Sequence, residues 1–516
     1  MAAALSGLLV FSSACAYREN RSLTAREAIA KRGGAARFHL RNGDLAAFDS
    51  WAVEGEHVRG QGKYFDVDRV QRQSGALDVV LADVVIVETS ERENLGTGAV
   101  VAVSIISVAG TVACLTNPKA CFGSCPTFYV PHQGSEDGWA LQAEGFSQSI
   151  ARSLEADDLD DLPAARAQDG FVTLAMRNEA LETHLVRKLQ LVVVDGPAGS
   201  EIAQLQGGTF VALGAAHAAE RCDAGAEVAA QLAARDADEY MAGSDGVDLA
   251  ARTALTLRFA PPHARDLAVS LTARNSLMTT FVLYHLFGMF GREVGTFMTA
   301  LEQYSPRVLA AFARWGVTLA GVRVSARQGA GAWRPVGRIP YIGPIAAQTR
   351  ALAFAVDDPD APVELRLEYE RADWRLDAVR VAPVVAKDLR VTRVAAQVTS
   401  ATRDGQRVAE ADAQAQLAGA GERLMTLPGD EVRMRFAVPP ARGAQAYFLA
   451  SRGYYYEWMR EAWLKDENVP LAWAYLTHPG RALRELAPAY HAVEPEMDRI
   501  FEASKFRRPL AGGGGR

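Results

Sequence analysis

The sequence predicts a mainly β chain: a small SH3-like or Sm-like barrel, a hydrophobic helix, then two tandem antiparallel β-sandwich repeats with appended helices. Three observations predict it. Apolar and polar residues alternate over many short stretches broken by Gly, Pro, Asn and Asp, the period-two signature of half-buried strands. The run from Leu95 to Leu115 carries no charged residue. Paired landmarks recur in the same order in two parts of the chain: Trp139 and Trp333, Ile150 and Ile345, Val172 and Val363, Phe259 and Phe436, Arg274 and Arg452.

The first element, residues 1–15, reads as a lipoprotein signal peptide. Ala2 to Phe11 is apolar and is followed by Ser12-Ser13-Ala14-Cys15, which resembles a lipobox with Ser12 in place of the usual leucine. Lipid would be added to Cys15 and cleavage would leave it first in the mature chain; the competing reading is a plain signal peptide cut after Ala14. With Ala16, not an acidic retention residue, directly after Cys15, the destination expected in a diderm bacterium is the outer membrane.

Residues 24–92 form the small β module. The stretch "ARFHLRNGDLAAFDSWAVEGEHVRGQGKYFDV" alternates around Asn42-Gly43, a strong hairpin turn, and "ALDVVLADVVIVET" supplies two further strands. Residues 95–115 are long enough to cross a bilayer, and they read either as a buried or membrane-lying helix or as a true span. The first repeat then occupies 118–305 and ends in the apolar helical stretch "SLMTTFVLYHLFGMFGREVGTFMTALEQY". The second occupies 315–464, with "YYYEWMREAWLKDENVPLAWAYL" as its helical end, and 465–510 continue as a helical tail. Each repeat carries strand, polar turn, strand at "VTLAMRNEALETHLVRKLQLVVV" and "VELRLEYERADWRLDAVRVAPVV".

Composition narrows the partners. The chain has 516 residues, 49% of them hydrophobic, and its 55 basic against 61 acidic residues leave a net charge of −6. No basic block interleaves with aromatics, so nucleic acid is not an expected partner. Membrane contact is expected through the N-terminal lipid and through residues 95–115, and the remaining partner is an unidentified protein or glycan.

Export makes the other cysteines readable, because thiols outside the cytoplasm tend to become disulfides. Cys114, Cys121, Cys125 and Cys222 are the disulfide candidates, with three connectivities open. Zinc would need a second ligand pair at metal spacing, and His132 stands alone. Cys121 and Cys125 enclose three residues, not the two of a redox motif. No metal or cofactor is expected.

Three further clusters bear on chemistry. Asp157, Asp158, Asp160 and Asp161, with Glu155 beside them, could offer oxygen ligands to calcium but lack the spacing of an EF-hand loop, and they read as a solvated acidic turn. Asn178, Glu179, Glu182 and His184 crowd one hairpin tip without a nearby nucleophile, as a polar turn does. Tyr454, Tyr455, Tyr456 and Trp458 form an aromatic cluster that could stack on sugar or peptide, or else build a core. No catalytic residue is assigned.

The motifs "GSCPTFY", "AEGFSQSIARSLEADDLDDLP", "RNSLMTTFVLYHLFG", "WRLDAVRV" and "SRGYYYEWMREAWL" together resemble a family of large bacterial envelope proteins that share the GSCP-aromatic motif. The resemblance spans roughly residues 118 to 506 and implies an envelope location but no activity, substrate or site residue. The function expected is that of a lipid-anchored binding or structural scaffold. The alternatives are a hydrolase of envelope carbohydrate, which would need two carboxylates facing across a cleft, and a membrane-spanning assembly factor.

Overall fold

The structure is a computed structural model that describes residues 16–24, 36–40, 44–65, 71–94, 125–135, 137–180, 182–302, 304–403, 406–417, 423–427, 429–457 and 466–504. It is mainly β, built from antiparallel sheets, and it divides into units 1–106 and 107–516. The signal segment 1–15 with Cys15, the hydrophobic stretch 95–115, Cys114, Cys121 and Trp458 lie outside the described residues. Among the described residues no helix is long and apolar enough to cross a membrane.

The first unit is one six-stranded sheet without closure into a barrel. Its strand order is Ala16–Thr24, Val84–Asn94, Ala36–Leu40, Leu45–Glu54, His57–Phe65, Gln71–Val80, with a single 3-10 turn, Leu81–Asp83, before the last strand in sequence. Alternation places Phe38, Phe48, Trp51, Val58 and Val87 in one core, with Phe38 edge-on to Phe48 and Trp51 at 5.0 Å each.

Among its described residues the second unit holds four sheets. The first outer sheet runs Gln406–Val408, Gln397–Arg403, Glu431–Ala437, Phe171–Arg177, Thr127–Pro131, Trp139–Glu144. The second outer sheet runs Arg221–Cys222, Arg252–Phe259, Val363–Glu370, Val322–Gln328, Arg334–Ile339. One inner sheet runs Arg390–Ala395, Glu182–Gly196, Ala444–Glu457, Ala156–Asp161, and Leu424–Thr426 also pairs with its longest strand. The other runs Glu201–Gln204, Phe210–Leu213, Trp374–Ala386, Asp266–Asn275, Gln348–Ala355, with two short strands added on Trp374–Ala386.

Every one of these four sheets draws strands from both 118–305 and 315–464, so neither stretch closes a sandwich by itself. The register is explicit: Val172 lies opposite Phe436, and Val363 lies opposite Phe259. Of the paired landmarks, Val172 thus lies beside the late Phe436 and Phe259 beside the late Val363. The physical cause is pattern matching between strands of equal period: Val172, Leu174 and Met176 present one apolar row, and Val432, Met434 and Phe436 present the complementary row.

Core placement follows the same alternation. The first outer and first inner sheets share a core in which Leu189, Leu191 and Val193 meet Phe128, Leu174 and Phe436. The alternate residues Val192 and Val194 turn the other way and pack with Phe210 and Phe448 of both inner sheets. Both faces of this strand are thus buried over Leu191 to Val194, which is why that part reads as an unbroken apolar run. The second pair of sheets encloses Leu257, Phe259, Leu365, Leu367, Trp374 and Leu376.

The helices gather on the first core. Met278–Phe290, Val294–Glu302 and Pro306–Thr318 follow one stretch, and Val469–Thr477, Pro479–Val493 and Met497–Ser504 follow the other. Their rings interlock: Phe290 is edge-on to Trp473 at 5.5 Å and Phe281 to Tyr490 at 5.3 Å. Gly291, at φ 51°, ends the first helix where a side chain would strike Glu467. The helical end expected at "YYYEWM" is corrected at its start: Ala444–Glu457 is a strand through Tyr454, Tyr455 and Tyr456, because pairing with Glu182–Val186 satisfies that backbone, and the next helix among the described residues is Val469–Thr477.

Candidate binding site at the seam between the inner sheets

The acidic stretch is neither a solvated turn nor a calcium loop. Ala156–Asp161 is a strand paired with Gly453 to Phe448, and it carries Asp160 and Asp161 into the body of the protein. There the Asp161 carboxylate accepts from Arg235 Nη1 at 2.6 Å and from the Thr349 N–H at 3.0 Å, while its own N–H donates to Gln348 Oε1 at 2.6 Å. Gln348 Nε2 in turn donates to the Gln142 carbonyl at 2.9 Å, and Arg350 Nη2 donates to the Leu159 carbonyl at 2.9 Å. Arg235 also reaches Thr349 Oγ1 and the Ala347 carbonyl, each at 3.0 Å. Segment 342–350 of the late stretch is thereby fastened to 142–161 of the early one.

Burial sets the electrostatics. The Glu144 carboxyl is pushed up to about 8, mainly because it is desolvated and further because Asp158 is charged nearby; the Ile345 N–H bond at 3.0 Å and the Arg274 charge oppose the rise. Burial likewise raises Asp158 and Asp160, with Arg350 pulling each the other way. Gly343, at φ 139°, lies so close to Glu144 that any Cβ would overlap its carboxylate, so only glycine serves there.

Beside this network a cavity of about 260 Å³ opens between the two inner sheets. Asp161, Arg235 and Thr349 line one side, Ile202 and Gln204 another, and Gln445, Tyr447 and Arg166 complete the polar rim. Tyr447 Oη donates to Gln445 Oε1 at 2.6 Å and Gln445 Nε2 donates to Asp195 Oδ1 at 2.9 Å, which fixes that wall. Glu201, also in the lining, accepts from Arg380 at 2.9 Å.

The structure scatters the residues singled out from the sequence. Tyr454 and Tyr455 are buried, and Tyr455 Oη donates to the Ser147 carbonyl at 3.0 Å, so these two rings offer no stacking face to solvent. Asn178, Glu182 and His184 are buried under the first core: Asn178 Nδ2 donates to the Glu182 and Thr426 carbonyls, and His184 Nδ1 lies 3.1 Å from Thr426 Oγ1. Glu179 accepts from Tyr129 Oη at 2.6 Å and from Thr127 Oγ1 at 2.9 Å. Cys125 and Cys222 are both free thiols and sit on different cores, so they do not bridge one another; burial pushes the Cys125 thiol well up. Among the described residues no cluster of His, Cys, Asp and Glu is arranged to hold a metal ion.

Glu144, Gln204, Arg235, Gln348 and Tyr447 were not singled out from the sequence. They are dispersed across three hundred positions and become a site only through the pairing of early with late strands. The only sequence signal was Asp160-Asp161 at the end of an alternating run.

No known family matches the chain, and no curated protein does. Among solved structures, the crystal structure of the GH31 α-xylosidase from Xanthomonas citri aligns at 8% identity with a TM-score of 0.12, over 79% of this chain and 35% of that one. The chain spans about a third of the length of that enzyme, and a likeness this low carries no argument.

Proposed function

We propose that the protein is a lipid-anchored component of the bacterial envelope, facing the periplasm or the surface from the outer membrane, that works as a binding or structural scaffold through paired β-sandwich modules. The observation that carries this reading is the interlocking of two chain stretches into one four-sheet body whose ion pairs tie strands to the loop and helix residues packed on them. Asp161 is held by Arg235, Arg274 grips both oxygens of Glu239 at 2.6 and 2.7 Å, and Arg375 reaches Asp498 at 2.9 Å. Such a body suits presentation of surfaces better than chemistry in a cleft.

An internal duplication underlies the modules. It is supported by the matching strand orders: 397–403, 431–437, 171–177, 127–131, 139–144 in one outer sheet correspond position for position to 221–222, 252–259, 363–370, 322–328, 334–339 in the other. The inner orders 390–395, 182–196, 444–457, 156–161 and 210–213, 374–386, 266–275, 348–355 correspond likewise. The two copies have exchanged halves, the first part of each completing the second part of the other. In the first unit, the strand order and the 3-10 turn before the final strand favour an SH3-like collar, which lipid on Cys15, one residue before Ala16–Thr24, would hold at the bilayer.

The hydrolase alternative has the carboxylates but not their setting, since Glu144 is buried, Asp158 is half-buried, and both are bonded to backbone N–H groups, of Ile345 and of Phe146 and Leu159. Anchoring is tested by metabolic labelling with a fatty-acid analogue. Wild type should take up label and Cys15→Ala should not; equal labelling of the two would sink the lipoprotein reading. Release of reducing ends from purified envelope glycan, abolished in Glu144→Gln, would replace the scaffold by the hydrolase.

A further inference from the structure

We propose that the cavity between the inner sheets is a binding site for one neutral sugar residue of a glycan. This deepens the scaffold reading and rests on it for the glycan's presence in the envelope. Four observations carry the assignment. The volume, about 260 Å³, lies just under the roughly 300–1,000 Å³ of pockets that bind drug-sized ligands, which suits a single ring.

The second observation is an acceptor waiting for a donor. Ile202 and Gln204 fall on the same face of their strand, the one that Ile202 packs toward Phe210 and Phe448 of the inner sheets. Gln204 is 8% exposed, lines the cavity, and its Oε1 is buried without a hydrogen-bond partner among the described residues. A buried acceptor left unmet costs on the order of 1–3 kcal/mol, a cost that a ligand hydroxyl or amide N–H would recover.

The third observation concerns charge. The ionised groups of the lining balance, Asp161 and Glu201 against Arg166 and Arg235, and the acids are already matched to Arg235 and Arg380. A cation would therefore gain little, whereas a neutral ligand rich in hydroxyl groups meets donors and acceptors together. Arg166, also in the lining, is exposed and donates from Nη1 to the Pro163 and Ala165 carbonyls at 2.7 Å each.

The fourth observation is rigidity. Tyr447 supplies an aromatic wall locked by its bond to Gln445, and the Asp161–Arg235–Thr349 bonds fix the opposite wall. A preformed site loses little entropy on binding. Planar amide, carboxylate and guanidinium groups beside an aromatic ring are the means by which proteins hold a pyranose, whose faces are apolar and whose rim is hydroxyl.

The test uses purified full-length protein with N-acetylglucosamine and glucose as probes, titrated by calorimetry and by ligand-observed NMR. At least one sugar should bind saturably to wild type. Gln204→Leu should weaken that binding roughly tenfold or more while leaving the thermal midpoint unchanged or raised, because it removes the unmet acceptor. A merely structural glutamine would give the reverse, a lowered midpoint with binding intact. Ser200→Trp, at the mouth, should block binding. Absence of saturable binding by either sugar, or equal affinity in wild type and both variants, overturns the assignment. Neither result depends on Cys15, so failure here is distinguishable from failure of the anchoring experiment.

Discussion

Replacing Asn275 with leucine should destabilise the 107–516 unit by about 3–5 kcal/mol. Asn275 is fully buried at the end of strand Asp266–Asn275. Its Oδ1 accepts from the N–H groups of Ile342 at 2.9 Å and Gly343 at 3.2 Å, and its Nδ2 donates to Asp373 Oδ2 at 3.0 Å. Leucine is close in size but meets none of these groups, so two backbone donors and a carboxylate would be left buried without that partner. Each such loss costs on the order of 1–3 kcal/mol, and neighbours in one network do not add fully. Chemical denaturation followed by tryptophan fluorescence reads the change. A difference from wild type under about 1 kcal/mol would show that the 342–343 segment is not held by this side chain.

Wild-type stability should fall as pH rises from about 5 to about 8, and Glu144→Gln should flatten that fall. Folding holds the Glu144 proton to about pH 8, whereas the unfolded chain releases it near the ordinary value of 4.5. Between those values the native state binds more protons than the unfolded state, so stability decreases with pH and the contribution is gone above 8. The size is on the order of 2–4 kcal/mol across the window. Desolvation raises half-buried Asp158 and buried Asp160 and Asp373 as well, and they act in the same sense. The amide of glutamine keeps an oxygen for the Ile345 N–H and carries no charge at any pH. Urea unfolding at pH 5 and pH 8.5 should therefore show the variant gaining on wild type at the higher pH. Parallel profiles for the two proteins would place the pH dependence elsewhere.

Much of the β structure was legible in the sequence because alternation is local. The strands Phe171–Arg177 and Val363–Glu370 lie where period-two patterning placed them. The apolar excess of "FVLYHLFGMF" correctly demanded a packing partner, and it finds Trp473 and Tyr490. Partner choice was not legible. Val172 carries the same apolar row whether it pairs with Phe259 of its own stretch or with Phe436 of the other, and only the three-dimensional connection decides for Phe436. The site suffered from the same degeneracy. Asp160-Asp161 reads as a solvated turn until Arg235, Gln348, Thr349 and Arg350, all distant in sequence, arrive to desolvate and satisfy it.

The helical end misread at Tyr454 has a related cause. Aromatic residues followed by Glu, Trp and Met suit either an amphipathic helix or a strand, and long-range pairing of Tyr454 with Leu185 and Tyr456 with Thr183 decides for the strand.

Dependence of each sandwich on both chain stretches is tested most directly by separating them. The turn 319–321, between helix Pro306–Thr318 and strand Val322–Gln328, allows residues 107–318 and 319–516 to be produced as two polypeptides. Because every sheet of this unit takes strands from both, each polypeptide alone should lack a cooperative unfolding transition and near-ultraviolet circular dichroism. Mixing them from denaturant should give a folded complex of one with one, read by analytical ultracentrifugation and circular dichroism together. Either polypeptide unfolding cooperatively as an isolated monomer with native near-ultraviolet signals would contradict the exchanged pairing of Val172 with Phe436 and of Val363 with Phe259.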